Sequence, residues 1–363
     1  MSVVNIEVLI ERWFNKKLSL ERIEKYCQQL RIEKRRLSED VNPENIRVSC
    51  VQRQIHPVSS IERYIDMLCG FVDQAVKEDS YLIIFPEYNF FDLLGLIPGF
   101  ICLNQILNKK AIKVKDEEKD REEESHLEGN NHFLTTVFKG VAKPIEAGIK
   151  RIVSLLAKEY RIYIYTGSYI FKEKEGIYNA GSLFGPEGNL IGTQKKMHLT
   201  DFEVKIGIKR GNKMEVYSSP FGKVVCPICM DATYFETFRI AREIGADMVI
   251  LPIANLEEYT VWKALRGIWP RVQESYLYGL KSSLNGWIMG MRFTGKAGIF
   301  APLSMTEGKD GILSLSPSYE GNHLITVNIN IKRLYEAREK AEYQEDKNTE
   351  FEEKYIERTY GIN

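Results

Sequence analysis

The chain has 363 residues, and its 50 lysines and arginines are balanced by 50 aspartates and glutamates. A formal net charge of zero gives no global attraction to nucleic acid or to an acidic membrane, so neither is predicted as a partner. The six cysteines have no regular spacing, which is typical of reduced thiols and predicts a cytoplasmic protein. No stretch approaches the roughly 20 apolar residues that cross a membrane.

Residues 1–44 are predicted to form a charged helical extension. Ser19 can cap its second helix, because a serine hydroxyl accepts hydrogen bonds from the free N–H groups of a first helical turn. Ile23, Cys27 and Leu30 give that helix an apolar face. The extension is expected to pack on the main body of the protein or on a partner subunit.

The first strong strand signal is Ile46–Gln52, and a helix with one apolar face follows over residues 61–76. The next strand is fully apolar and ends at Pro86 and Glu87. A carboxylate at the end of a buried strand is unfavourable unless another group uses or pairs it. In α/β sheets, sites lie at the carboxyl ends of the strands, so Glu87 is a candidate functional residue.

Residues 92–150 are less regular. Residues 93–107 are apolar but contain glycine and proline, which predicts a lid or covering loop. Residues 109–131 are dominated by charges and are predicted to be a solvated insertion. A helix is predicted from Pro144 to Tyr160.

Residues 178–199 have the pattern of a β-hairpin, with its turn at residues 186–188. The second strand leads into Lys195 and Lys196. Adjacent strand residues point to opposite faces of a sheet, so one of these lysines is expected to face inward if the strand is packed.

The segment 221–252 contains an apolar strand, a tight turn and a helix. Cys229 lies at the turn, and either Asp231 or Thr233 can cap the helix that follows. Backbone N–H groups and the positive end of a helix favour a thiolate at such a position. A nucleophile on a strand-to-helix turn is also a recurrent arrangement for acyl transfer.

Two other interpretations of this cysteine remain. Cys229 can be a small core residue, or Cys226 and Cys229 can form a C-x-x-C redox or zinc motif. Zinc requires a second pair of ligands, and the remaining cysteines are scattered singly. A redox pair would place its first cysteine at an exposed helix start, whereas Cys226 is predicted to lie within a strand.

The remainder of the chain is predicted to be mostly helical over residues 261–284 and then to form strands up to Ile331. Residues 336–363 are predicted to be a charged helical arm. The alternation of strands and helices indicates an α/β fold. Glu87, Lys196 and Cys229 then lie at three strand ends, and they supply the base, cation and nucleophile that acyl transfer needs.

The sequence resembles the nitrilase superfamily of carbon–nitrogen hydrolases, whose triad is Glu, Lys and Cys. The F-P-E motif of that superfamily matches Phe85–Glu87, and its K-x-H-L motif matches Lys196–Leu199. Its nucleophile motif matches Ile228–Asp231, and a flanking G-A-D…P run matches Gly245–Pro252. The resemblance extends over residues 46–335.

The resemblance implies a four-layer α-β-β-α sandwich over residues 45–335, often paired with a second copy across the helix after the nucleophile. It implies that Cys229 attacks an amide carbon, that Glu87 moves the protons, and that Lys196 with the Met230 N–H stabilises the oxyanion. Glu203 matches the second glutamate of many members, although a structural role is equally open. No metal or cofactor is implied. The residues expected to bind substrate are Asn89, Met230, Tyr234, Ala254 and Asn255.

Members that act on nitriles tend to have C-W-E at the nucleophile, whereas this chain has Cys229–Met230–Asp231. The difference favours hydrolysis of a small amide or carbamoyl compound over hydrolysis of a nitrile. A homodimer or higher homo-oligomer is expected. The alternatives are nitrile hydrolysis, a catalytically silent scaffold, and a thiol redox protein that uses Cys226 and Cys229.

Overall fold

The structure is a computed structural model that describes residues 6–30, 32, 41–117, 131–341 and 348–360. No α-helix in these ranges is long and apolar enough to cross a membrane. The α-helices described are α1 (Ile6–Lys17), α2 (Leu20–Gln29), α3 (Ile61–Lys77), α4 (Phe100–Glu117), α5 (Asn131–Tyr160), α6 (Asp201–Lys205), α7 (Phe235–Glu243), α8 (Val261–Ala264), α9 (Ile268–Ser275), α10 (Ile331–Glu339) and α11 (Thr349–Tyr360).

Short 3-10 helices at Phe91–Leu96, Cys229–Thr233 and Leu303–Met305 complete the helical structure of the described ranges. The strands described are β1 (Ile46–Gln54), β2 (Leu82–Ile84), β3 (Tyr163–Glu173), β4 (Gly176–Phe184), β5 (Leu190–Lys195), β6 (Ile208–Lys209), β7 (Tyr217–Ser219), β8 (Gly222–Val225), β9 (Met248–Ile253), β10 (Tyr278–Ile288), β11 (Met291–Phe293), β12 (Gly298–Phe300), β13 (Ile312–Leu315) and β14 (His323–Ile329).

The strands form one hydrogen-bonded system whose main path is β5-β4-β3-β2-β1-β10-β9-β8-β7. Strand β1 pairs with β14 along Ile46–Gln52 and with β10 only at Gln52–Gln54. Along Gly279–Lys281, the edge of β10 that faces away from β9 pairs with β12 and not with β1. The system therefore divides into two halves that are joined near the carboxyl ends of β1 and β10. The predicted mixed α/β fold is confirmed.

The inner faces of the two halves share an apolar core. Val48 of β1 and Leu183 of β4 belong to the same buried cluster as Val224 and Leu280 from the other half. The two end strands also meet, since a Cβ atom on Gly192 of β5 would lie 2.0 Å from the ring of Tyr217 on β7. The sheet is consequently almost closed on itself.

Helices cover the outer faces. Helix α3 begins at the Ser60 cap and turns its apolar stripe, which includes Tyr64 and Leu68, toward the same core as α5. On the other half, Phe238 of α7 and Val272 of α9 pack with Val249 of β9. Both faces of the central parallel strands are buried, which explains their continuous apolar sequences.

The N-terminal extension contacts the main body. Ser19 caps α2 as predicted. Phe14 of α1 and Ile23 of α2 are fully buried in the core that α5 shares. The indole nitrogen of Trp13 donates to the carbonyl of Leu96, 2.8 Å away, so α1 is attached to the segment that follows Glu87.

Three segments differ from the sequence predictions. Residues 93–107 form a 3-10 helix and the start of α4 instead of a loop. Of the predicted insertion 109–131, residues 109–117 belong to α4 and residues 118–130 lie outside the described ranges. The prediction of mostly helical structure over residues 261–284 is confirmed for α8 and α9 but is wrong from residue 278 onward, because Tyr276 caps α9 in a left-handed conformation and β10 then pairs with β9.

Candidate active site

The strand directions place three motif-bearing segments at one edge of the sheet. Successive parallel pairs give one common direction to six strands: β8, β9, β10, β1, β2 and β3. Strand β4 is antiparallel to β3, and β5 is antiparallel to β4, so β5 runs in the common direction as well. Glu87 follows β2, Lys196 follows β5 directly, and Cys229 follows β8. The carboxyl ends of these strands therefore bring the three residues to the same edge.

Lys196 is the centre of a buried charged cluster. Its Nζ lies 2.8 Å from Glu87 Oε1 and 2.8 Å from Glu203 Oε2, and its side chain is 1% exposed. Burial lowers the pKa of Lys196, but the nearby carboxylates outweigh this effect and hold the pKa above its ordinary value. The neighbouring Lys195 points the other way and pairs with Glu173 at 2.6 Å. The inward-facing lysine is thus Lys196.

Glu87 uses only one of its carboxylate oxygens. Oε1 accepts hydrogen bonds from Lys196 Nζ at 2.8 Å and from Asn179 Nδ2 at 2.9 Å. Oε2 is buried and has no hydrogen-bond partner of good geometry among the described residues, although the Cys229 thiol is near enough to interact with this carboxyl. Burial raises the pKa of Glu87 above that of an ordinary glutamate. Such a carboxylate is suited to accept a proton.

Glu203 has partners on both oxygens. Helix α6 begins with a capping box in which Thr200 and Glu203 bond each other's backbone N–H groups. Oε1 also accepts from the Tyr88 hydroxyl and from Asn179 Nδ2. Burial raises the pKa of Glu203, but the charge of Lys196 and these hydrogen bonds outweigh it and hold the pKa below its ordinary value. Glu203 is therefore a fixed anion that accompanies Lys196.

Cys229 begins the 3-10 helix Cys229–Thr233 and has a positive φ of 45°. This conformation is strained for a residue with a side chain, as is common where a nucleophile is presented on a turn. Its Sγ lies 3.5 Å from Asn255 Oδ1. Burial and the charge of Glu87 raise the pKa of the Cys229 thiol. Both effects oppose the thiolate that the turn geometry was predicted to favour, and a thiol requires a base to accept its proton.

Asp231 joins the lysine segment to the cysteine segment. Its buried carboxylate accepts from the backbone N–H groups of Ile228 at 2.8 Å, Met197 at 3.2 Å and His198 at 2.6 Å. The His198 ring, which stacks on Tyr234, adds a contact of 2.9 Å through Nδ1. Asp231 therefore fixes the spacing between the two segments.

The predicted cap of α7 was wrong. Neither Asp231 nor Thr233 provides it, because α7 begins after Tyr234 without a side-chain cap. The side chain of Asp231 is instead directed at the N–H groups that join the lysine and cysteine segments.

The residues predicted to bind substrate fall into two groups. Asn89 is 2% exposed, and its side chain is occupied by Arg53 Nε at 2.7 Å and by the Thr166 carbonyl at 3.1 Å. The structure thus assigns Asn89 to holding the Glu87 segment, which corrects the prediction. The other four lie on the segments that carry or contact Cys229: Met230, Tyr234, Ala254 and Asn255.

Sequence reasoning missed Tyr88 and Asn179. Tyr88 has a φ of 50° and stacks on Phe91, with ring centroids 4.8 Å apart, while its hydroxyl bonds Glu203. Asn179 contributes its amide to both Glu87 and Glu203 from the middle of β4. An asparagine inside an otherwise apolar strand is unfavourable for strand formation, and this was the available signal.

The cluster differs from a metal centre. Throughout the part of the chain that the structure describes, no group of three or more His, Cys, Asp or Glu side chains is arranged to hold a metal ion. The cation in the centre of the cluster is the ammonium group of Lys196.

The family model "Carbon-nitrogen hydrolase" matches residues 47–339, which is most of the chain. The chain belongs to this family. Its solved relatives include the amidase of Nesterenkonia sp. AN1 from the nitrilase superfamily, with a TM-score of 0.61, 16% identity, and coverage of 88% of this chain and 100% of that chain. This likeness shows that the two carbon–nitrogen hydrolases share their fold.

Two curated relatives of this carbon–nitrogen hydrolase are matched over a smaller part of their own length than the solved amidase is. The probable hydrolase YhcX of Bacillus subtilis is 25% identical over 74% of this chain and 47% of its own length. Omega-amidase NIT2 of Danio rerio is 30% identical over 34% of this chain and 47% of its own length. The matched region thus spans about half the length of these relatives.

Proposed function

We propose that the protein hydrolyses the carbon–nitrogen bond of a small amide or carbamoyl compound through a thioester on Cys229. The observation that carries the proposal is the unpartnered Oε2 of Glu87 beside a thiol and a charged lysine. The cluster thus contains a proton acceptor, a nucleophile and a cation, which are the groups that acyl transfer requires.

In the first half-reaction, Sγ of Cys229 bonds to the carbonyl carbon while its proton moves to Glu87 Oε2. The ammonium of Lys196 and the N–H of Met230 stabilise the negative charge on the carbonyl oxygen. Glu87 then returns the proton to the departing nitrogen as the carbon–nitrogen bond breaks. An amine or ammonia leaves, and the acyl group remains on sulfur.

In the second half-reaction, Glu87 takes a proton from water, and the resulting hydroxide attacks the thioester carbon. The carbon–sulfur bond breaks, the thiolate recovers the proton from Glu87, and a carboxylic acid departs. We propose that Glu203 is a positioning residue, because its oxygens hold Lys196 and are occupied by Thr200 and Tyr88. Its negative charge also helps Lys196 to stay protonated.

The similarity to amidases supports an amide over a nitrile. Variants of the Nesterenkonia amidase are described with the acetamide moiety of fluoroacetamide added covalently at the active-site cysteine. We propose the corresponding reactivity for Cys229. A thiol redox role is disfavoured, because Cys226 is fully buried in the inner core and burial raises the pKa of its thiol.

We also propose the four-layer α-β-β-α arrangement, which the shared inner core and the two outer helix layers support. A second copy is proposed as the partner of the α7 face. Phe235, Ile240 and Ile244 are exposed there, and Arg239 pairs with Glu352 of α11 at 2.5 Å. The six free cysteines support a cytoplasmic location.

The experiment is to measure ammonia release from a panel of aliphatic amides, carbamoyl amines and nitriles. Ammonia release from amides or carbamoyl amines and its loss in Cys229→Ala are expected. The Glu87→Gln variant treated with fluoroacetamide should carry an adduct on the peptide that contains Cys229, as detected by mass spectrometry. Turnover that survives Cys229→Ala would overturn the covalent mechanism.

A further inference from the structure

A cavity with a volume of about 400 Å³ lies outside the catalytic cluster. It is bounded by the segment after β1, by helix α4 and by the end of β10. None of its lining residues belongs to the Glu87, Lys196 and Cys229 set. Its volume is within the range of small-molecule sites in proteins. The residues used in the argument are Ile55, Pro57, Arg63, Ile101, Asn104 and Trp287.

The polar lining is rich in donors and contains no carboxylate. Arg63, in the first turn of α3, is exposed and forms no ion pair with any described residue, and the adjacent Glu62 is paired with Arg22. A guanidinium group offers two parallel N–H donors that match a carboxylate. The cavity lining therefore includes a solvent-exposed cation and no carboxylate beside it.

Asn104 is the second polar feature of the cavity. It is 5% exposed, and its Oδ1 accepts from the backbone N–H of Met289 at 2.6 Å. The bond to Met289 uses Oδ1, which leaves Nδ2 as the donor of this amide. An amide N–H at the wall of a cavity can donate to an oxygen of a ligand.

Part of the remaining wall is apolar, and the other lining residues are polar: Gln54, His56, Ser59, Gln105 and Asn108. Ile55, Pro57 and Ile101 line the cavity with the indole of Trp287. Such a wall favours a compact hydrocarbon or aromatic group, since apolar surface is removed from water on contact. The lining thus combines an exposed cation, an amide donor and an apolar patch among further polar side chains.

The β10–β11 hairpin separates this cavity from the catalytic cluster. Asn108 of α4 holds the hairpin through the Trp287 carbonyl at 3.3 Å and the Gly290 N–H at 2.8 Å. Phe293, on the other arm of the hairpin, packs on Phe91 with ring centroids 6.0 Å apart. Phe91 in turn stacks on Tyr88 of the catalytic cluster. The cavity and the cluster thus lie against different parts of one hairpin.

We propose that this cavity is a second small-molecule site, which binds a carboxylate with an apolar body. The carboxylate pairs with Arg63 and accepts from Asn104 Nδ2, and the apolar body lies against Trp287 and Pro57. The proposal does not depend on the reaction at Cys229, because no lining residue takes part in that reaction.

The test is calorimetric titration of the full chain with benzoate, isovalerate and acetate, with benzyl alcohol as the uncharged comparison. Benzoate or isovalerate should bind at one site per chain, more tightly than acetate or benzyl alcohol. Arg63→Gln should weaken binding about ten- to hundredfold, because it removes a charge-assisted pair. Arg210→Gln, at an exposed position outside the cavity lining, is the matched control and should bind as the wild type does.

A second variant tests whether a loss of binding in Arg63→Gln comes from misfolding and whether the carboxylate binds outside the cavity. Asn104→Asp keeps an oxygen for the Met289 N–H but replaces the amide donor with a negative charge. It should therefore abolish carboxylate binding while the melting temperature stays close to that of the wild type. Absence of binding by all three carboxylates, or binding that is unchanged in both Arg63→Gln and Asn104→Asp, would overturn the proposal.

Discussion

Two buried ion clusters lie at opposite ends of strand β9. At its amino end, Asp247 pairs with Arg338 at 2.9 Å and accepts from the Tyr335 hydroxyl and the Lys223 N–H. Arg338 also donates to the backbone carbonyls of Tyr276 and Ala246. The second cluster, which contains Glu87, Lys196 and Glu203, lies beyond the carboxyl end of the strand, where the backbone of Ala254 is near the Cys229 thiol.

Burial and charge do not distinguish these clusters, but hydrogen bonding does. Both carboxylate oxygens of Asp247 are bonded, so its cluster attaches α10 to the sheet and has no free acceptor. In the other cluster, Glu87 Oε2 has no partner of good geometry in the described part of the chain. An unpartnered buried oxygen destabilises the fold and gives a base for chemistry. We propose that the free acceptor of Glu87, beside a thiol and a lysine, distinguishes the functional cluster from the structural one.

The largest expected effect is on turnover. Lys196→Ala, Cys229→Ser and Glu87→Gln should each lower kcat by on the order of 10³-fold or more, because each removes a group needed in the transition state. Cys229→Ser and Glu87→Gln should fold with melting temperatures close to that of the wild type, whereas Lys196→Ala leaves Glu87 and Glu203 without their cation and should have a lower melting temperature. Retention of full activity by Cys229→Ser would contradict the proposed nucleophile.

The cluster at the other end of β9 should give the opposite pattern. Arg338→Met leaves Asp247 buried and unpaired, so the free energy of unfolding should fall by about 3–5 kcal/mol. The folded fraction should turn over substrate as fast as the wild type. Denaturant titration measures the stability, and Arg333→Met, exposed on the same helix, is the control and should change it by less than about 0.5 kcal/mol.

If Arg338→Met does not fold, the double variant with Asp247→Leu tests the same idea. Removal of both charges leaves no orphaned carboxylate, so part of the stability should return. A loss of turnover in a well-folded Arg338 variant would show that the two clusters are coupled and would contradict the distinction drawn between them.

Asp231 should show an intermediate effect. In Asp231→Asn, an amide NH₂ group replaces an oxygen that faces the N–H groups of Ile228, Met197 and His198, so the lysine and cysteine segments should shift relative to each other. A displacement of about 1 Å can lower the rate about 100-fold, and kcat is expected to decrease by about one to two orders of magnitude.

The control for Asp231 is His198→Gln, which removes only the ring contact and keeps the three backbone bonds. It should have a smaller effect on kcat. The rate at which iodoacetamide alkylates Cys229 gives an independent measure of the geometry. If both variants turn over substrate at the wild-type rate, Asp231 does not position the site.

Glu203→Gln should move the pH profile. The charge of Glu203 raises the pKa of Glu87, so its removal should lower the pKa of Glu87. The proposed base must be ionised, and activity is lost as the pH falls through its pKa. The acid limb of kcat/KM should therefore move to lower pH in Glu203→Gln, and not in the exposed control Glu187→Gln. A shift to higher pH would contradict Glu87 as the base.

The sequence predicted the positions of the three candidate residues in the fold, because each of them follows a strand. Glu87, Lys196 and Cys229 each follow an apolar strand, and parallel strands end at one edge of a sheet. Residue parity also predicted that Lys195 and Lys196 point in different directions, as the structure shows. These predictions depend on local periodicity, which a single sequence contains.

Predictions that depend on tertiary contacts were less successful. The role of Asp231 depends on N–H groups of a segment more than 30 residues away, which no local pattern reveals. Burial and the charge of Glu87 raise the pKa of the Cys229 thiol, and these are tertiary effects that the sequence of the turn does not contain. Residues 278–284 are strand because β9 and β12 pair with them, in spite of the helical pattern.

The smallest effect is expected at Lys195, the neighbour of the central lysine. Its Nζ pairs with Glu173 and lies 4.3 Å from the Tyr178 ring centre, and its side chain is 29% exposed. A partly exposed ion pair contributes about 0–1 kcal/mol, so Lys195→Ala should reduce the free energy of unfolding by no more than that. Its turnover should stay within about twofold of the wild type, since its side chain points away from Glu87 and Glu203. When Lys195→Ala and Lys196→Ala are assayed side by side, the same substitution is compared at two adjacent lysines, of which only Lys196 is fully buried. An inactive Lys195→Ala together with an active Lys196→Ala would place the functional lysine one residue earlier and would remove the Lys196 cluster from the mechanism.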